Sequence, residues 1–219
     1  MYILFIGAHP DDIEIGCWSV VWRALKLNHH VRFLILSDEL NPAIKICRRE
    51  EAISSAQRFG IKGEDVVFMG MCDGFIKCDM DSISACRTKF SDYYPDIVIV
   101  HTEYDSHQDH RAANQIARST FRKCPILSYS IFCSGESSFQ PSLLSSLTST
   151  QIFEKEAHLH LFESQCFRLD FGDMASWEEK ISGHVGVRSE GLMMMLQAGS
   201  STEKLNDFIE DCGFNKKFA

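Results

Sequence analysis

The first 133 residues alternate short apolar runs with helix-like segments, and this alternation constrains the fold more than any other feature. Tyr2–Gly7, Val31–Leu36, Val66–Met69, Ile97–Val100 and Ile126–Phe132 are apolar runs of strand length, bounded by polar or turn residues. Between them residues 18–28, Ala43–Phe59, Ser82–Tyr94 and Arg111–Phe121 read as helices. Gly60 closes the second and Pro95 stops the third. The pattern predicts a Rossmann-like three-layer α/β fold, with a mostly parallel sheet, helices on both faces and right-handed crossovers. In the doubly wound order 3-2-1-4-5, strands 1 and 4 are neighbours and the chain reverses between them. The crevice at their C-terminal ends is then the expected ligand site.

The second half is less regular. Residues 134–151, SGESSFQPSLLSSLTSTQ, read as a long surface excursion, a lid or a poorly ordered loop, with Glu136–Gln151 expected at the site entrance. Lys155–Phe167, Ser176–Leu196 and Thr202–Cys212 read as helices. The stretch after the excursion is too short for a second domain, so residues 1–219 are read as one.

Charge and cysteine usage narrow the function classes. With 22 basic against 30 acidic residues, the formal charge of −8 argues against a nucleic-acid or anionic-membrane partner. The 9 cysteines form no CxxC pair and sit mostly among apolar neighbours, so they are read as free, mostly buried thiols of a reducing compartment. No secretory pattern opens the chain and no apolar run is long enough to span a membrane. A soluble cytoplasmic protein is expected, and a homo-oligomer is compatible with these features.

Two polar clusters come after the two switch-point strands. His9-Pro10-Asp11-Asp12 comes after strand 1 and His107-Gln108-Asp109-His110 after strand 4. An aspartate in either place has an ordinary reading as a helix cap. Side by side, though, the loops offer imidazoles and carboxylates suited to a divalent metal such as zinc. His9 and one of the two aspartates would grip one side of the ion, and a histidine of the second loop would complete a three-ligand site with a position open for water. The strand 1 turn, GAHPDD, lacks the glycine cradle of a dinucleotide site, and no G-x-S-x-G elbow occurs. Cys17 falls inside the first helix and is read as packing.

These motifs, AHPDDIEIG at 8–16 and PDIVIVHTEYDSHQDHRAA at 95–113, resemble those of the PIG-L/LmbE-type zinc-dependent N-deacetylases. Weaker similarities lie at RREEAISSAQRFGI (48–61), at Lys155 with Ser164-Gln165, and at GHVGVRSEGL (183–192). The resemblance implies a hydrolase that removes the acetyl group from an N-acetylated amino sugar or glycoconjugate, releasing acetate and a free amine. It implies His9, Asp12 and His110 as ligands of zinc, or of iron in its place. It implies Asp11 as general base, His107 as the histidine facing the developing oxyanion, and Asp109 as the carboxylate orienting a histidine of its loop. The rival readings are a zinc hydrolase for a different amide and a sugar-binding relative without turnover.

Substrate contacts are less determined. On the family pattern Arg48 would hold a phosphate or hydroxyl, although pairing with Glu50 or Glu51 on its own helix would explain it as well. Tyr104 and Asp105 precede the second cluster and are candidates for contacting a sugar. His29, His30, His101 and His184 are assigned structural roles. The chain departs from the family at CWSVVW (17–22), where small residues are usual, and at Phe162, where a histidine is usual.

Overall fold

The structure is a computed structural model that describes residues 1–37, 48–135, 138–195 and 202–216. In chain order it runs β1 (Tyr2–Gly7), α1 (Asp12–Lys26), β2 (His30–Ser37), α2 (Arg48–Phe59), β3 (Val66–Met71), α3 (Met80–Lys89), β4 (Ile97–His101), α4 (Gln108–Thr120) and β5 (Ile126–Tyr129). It continues β6 (Leu143–Ser146), α5 (Ser149–Leu159), α6 (Phe171–Ser182), β7 (Ser189–Met195), α7 (Thr202–Asp211) and β8 (Asn215–Lys216).

All eight strands join one sheet in the order β3-β2-β1-β4-β5-β7-β6-β8. The parallel half has the expected 3-2-1-4-5 order, with β1 between β2 and β4. The period-two alternation of buried strands divides the core in two. Ile3, Phe5, Phe33, Ile97 and Ile99 point into one apolar cluster with residues of α1, α2, α5 and α7. Leu4, Ile6, Leu34, Val98 and Val100 point into the other, with residues of α3 and α4. No helix among the described residues is long and apolar enough to cross a membrane.

The second half corrects three expectations. The serine-rich stretch is not simply a loop: β6 lies inside it and pairs antiparallel with β7 and β8, and α5 begins at Ser149 behind a Thr148/Gln151 capping box. Residues 136 and 137, where the entrance loop was expected to begin, lie outside the described residues. The helix read over Ser176–Leu196 is α6, which stops at Gly183 in the left-handed conformation (φ 76°), followed by strand β7. Methionine, leucine and glutamate favour helices, but this run is placed between β5 and β6, where pairing decides. α5 ends at Leu159, short of the expected Phe167.

Smaller differences occur elsewhere. α4 starts at Gln108, so the second polar cluster belongs to its cap and first turn. β5 ends at Tyr129, short of the expected Phe132, and residues 43–47 of the second predicted helix lie outside the described residues. The eight described cysteines are free, but only Cys17, Cys86 and Cys212 are buried, while Cys72 and Cys133 are exposed.

Candidate metal and catalytic site

The site lies where three loops leave the C-terminal ends of β1, β3 and β4. After β1, Asp11 adopts a left-handed conformation (φ 111°) and serves as N-cap of α1 without a side-chain capping bond. A non-glycine residue held there is unusual and costs energy. The turn places Asp11 and Asp12 side by side, both buried, with Asp12 as the first helical residue. After β4, His107 caps α4, and its Nδ1 accepts the Asp109 amide at 3.2 Å. In the neutral ring the proton is therefore on Nε2. The loop after β3 adds Asp73 and the amides of Gly74 and Ile76.

His9, Asp12 and His110 each offer a ligand atom within 4.8 Å of the others, and all three are buried. Asp12 Oδ2 accepts the His9 amide at 2.7 Å, and its Oδ1 is 3.5 Å from His110 Nε2. The opposite nitrogen of His110, Nδ1, lies 3.1 Å from Asp105 Oδ2 and 3.1 Å from Ser134 Oγ. His9 Nε2 sits 3.0 Å from Asp73 and 3.2 Å from Asp109. Two further groups, His9/His107/Asp109 and His101/Asp105/His110, satisfy the same proximity.

The site concentrates carboxylates. Burial opposes a charged His9, yet Asp12 and the contacts with Asp109 and Asp73 outweigh it and push its pKa up to about 12. Burial would also raise Asp12, but His110, His101 and His9 hold it well below the usual range. Asp11 goes the other way. Burial and the neighbouring Asp12 push it up to about 7, with the Arg48 guanidinium partly offsetting them. Burial, then His110 and His9, lower His107. A buried group with this many oxygens and imidazoles around one point suits a divalent cation, and the mixed nitrogen and oxygen donor set fits zinc or iron.

A cavity of about 260 Å³ opens onto the cluster. Its wall includes His9, Asp11, Asp12, Arg48, His107 and His110 among the residues singled out from the sequence. Arg48 does not pair with its own helix: it donates to the Pro10 carbonyl at 3.0 Å and lies 3.5 Å from Asp11 and 3.6 Å from Asp73. Glu51 instead accepts from the backbone and hydroxyl of Ser164.

Tyr104 and Asp105 do not line the cavity. Tyr104 is largely exposed, and Asp105 is buried behind His110. Asp109 is also absent from the wall. Its carboxylate reaches His9 of the other loop, and it accepts the Gly74 and Ile76 amides at 2.6 and 3.2 Å. Its side-chain contact is thus to His9, whereas the sequence led us to expect a histidine of its own loop. His101, read as structural, belongs to the site: its Nε2 is 3.0 Å from Asp12 and its ring stacks on His110 at 3.8 Å. Sequence reasoning also passed over Asp73 and Arg168, which line the cavity together with Gln165 of the weaker Ser164-Gln165 similarity. The position of Asp73 just after β3, in the same parallel sheet as β1, was the available signal. Of the CWSVVW departure, Trp18 and Trp22 face a different cleft from the cavity.

Several known proteins are similar to this chain. A relative from Escherichia coli K12, the uncharacterized deacetylase YaiS, is 29% identical over 134 residues, covering 58% of this chain and 72% of its own length. The N,N'-diacetylchitobiose deacetylase of Pyrococcus horikoshii shares the fold with a TM-score of 0.73 at 18% identity, covering 89% of this chain and 83% of that one. GalB of Pseudomonas putida KT2440, a 4-carboxy-2-hydroxymuconate hydratase, shares it with a TM-score of 0.69 at 17% identity, covering 89% and 96%. The family model described as PIG-L: GlcNAc-PI de-N-acetylase matches residues 4–121, more than half of the 219-residue chain, so the chain belongs to the PIG-L deacetylase family.

Proposed function

We propose that the protein is a metal-dependent hydrolase that removes the acetyl group from an N-acetylated amino sugar or sugar conjugate. The observation that carries this reading is the contrast between the surroundings of two adjacent aspartates. Asp12 is buried among three histidines, while Asp11 lies beside that group on the cavity wall with a pKa near neutrality.

His9, Asp12 and His110 would hold the ion, which we assign as zinc. When bound, zinc supplies Lewis acidity and lowers the pKa of a water to about 7. Asp11 would take a proton from the attacking water and deliver it to the leaving nitrogen, a role that needs a pKa near the working pH. His107, neutral and with its Nε2–H free of the cap, can donate to the carbonyl oxygen as negative charge builds there. The lowered pKa of His107 favours this neutral form. Arg48 lies between the carboxylates of Asp11 and Asp73. The walls formed by Ile15, Ile131 and Leu169 suit the methyl group or ring face of an acetamido sugar.

Acetate release from a panel of acetamido sugars, before and after chelation and zinc restoration, tests the reading. Release is expected from at least one member, lost with chelator and recovered with metal. The hydratase neighbour marks the alternative, in which water is delivered to a double bond. A metal-replete protein that releases acetate from no amide but hydrates an unsaturated acid would contradict the proposal.

A further inference from the structure

A second cleft, of about 550 Å³, lies between α1, α2 and α5, on residues that take no part in the proposed reaction. Its size is in the usual range for small-molecule sites. Trp18 is its buried aromatic floor, fixed by a hydrogen bond from its Nε1 to Nδ1 of His158 at 3.1 Å. Trp22 stands one turn further along α1, its ring within 16° of parallel to Trp18 and 6.5 Å from it, and Phe59 adds a third ring. Lys26, Arg58 and Glu154 stand around these rings. None of the three has an ion-pair partner among the described residues, although Lys26 rests 5.5 Å over the Trp22 ring.

This combination selects among ligand chemistries. An anionic ligand would face Glu154, and a cationic one would face Lys26 and Arg58. An acyl chain would desolvate all three charges without pairing them. A pyranose ring meets every group. Its C–H face packs on indole, while its neighbouring hydroxyls both accept from Lys26 and Arg58 and donate to Glu154. We propose that this cleft binds a sugar ring, separately from the cavity containing His9, Asp12 and His110. The ammonium of Lys26 would swing off the Trp22 face to admit it. The inference rests on the cleft alone and does not depend on the deacetylase reading.

Maltose, cellobiose and lactose carry no amide and are not substrates of the proposed reaction, so saturation-transfer NMR with these sugars and the intact protein is the test. At least one is expected to bind with a Kd of about 10 mM or tighter. Trp22→Ala and Glu154→Ala, both at surface-accessible positions, should each weaken that binding by at least about fivefold, whereas Arg48→Ala in the other cavity should leave it unchanged. Absence of binding by all three sugars would overturn the proposal. So would binding lost in Arg48→Ala but kept in Trp22→Ala, or light scattering that shows a dimer dissolved by Trp22→Ala, which would make a second copy the occupant.

Discussion

The carboxylate of Asp105 lies 3.1 Å from Nδ1 of His110, on the opposite side of the ring from Asp12, which faces Nε2 at 3.5 Å. A carboxylate behind a metal-ligating histidine fixes its tautomer and raises its basicity. Asp105→Asn should therefore weaken metal binding by about 10–100-fold while leaving the fold intact. Competition against a chromophoric chelator measures this, and wild-type affinity in the variant would remove Asp105 from that role.

Gly16 of α1 packs against Tyr129 of β5. A Cβ there would run into the ring of Tyr129, whose hydroxyl lies 3.1 Å from both the Ile6 carbonyl and His101 Nε2. Gly16→Ala should cost about 1–3 kcal/mol by overpacking. Chemical denaturation monitors the loss, and a stability equal to wild type would mean that the sheet yields easily at this contact.

The buried chain Trp18–His158–Ser55–Glu14 carries a pH signature. His158 is held neutral by burial, with its pKa lowered to about 4. The unfolded chain takes up a proton near pH 6.5 that the folded one refuses, so the His158 contribution is retained above that pH and lost as pH falls towards 4. Glu14, pushed up to about 7 by burial, has the opposite sign: its contribution is lost as pH rises through 7. Comparing wild type with His158→Gln isolates the histidine. The stability deficit of the variant should shrink as pH is lowered from 6.5 to 4.5, by at most about 3 kcal/mol. A deficit that does not change with pH would contradict a neutral buried His158.

The parallel half of the sheet was legible because Ile97–Val100 and Tyr2–Gly7 are continuous apolar runs that only a doubly covered sheet buries. Topology then brought His9 and His110 together across a hundred residues. β6 and β7 were not legible: Leu143–Ser146 is four residues long, and Ser189–Met195 has helix-favouring side chains whose strand state is imposed by β5. Within the site, the motif gave the residue types but not their partners. Whether Asp109 reaches His9 or His107 depends on the angle at which α4 leaves β4, and no local pattern encodes that angle. Asp73 sits alone in an irregular loop, and only the β3–β2–β1 register carries it to His9.

Asp11 and Asp12 are neighbours with opposite electrostatics, and the proposed chemistry rests on that difference. The most direct measurement is metal content and turnover for Asp11→Asn and Asp12→Ala, purified side by side. Asp11→Asn should keep about one metal ion per chain and lose turnover by roughly 10²–10⁴-fold, the usual worth of a general base. Asp12→Ala should lose both metal and activity, because two histidines alone leave the site incomplete. Metal lost from Asp11→Asn but retained in Asp12→Ala, or near-normal turnover in metal-replete Asp11→Asn, would contradict the assignment of base and ligand.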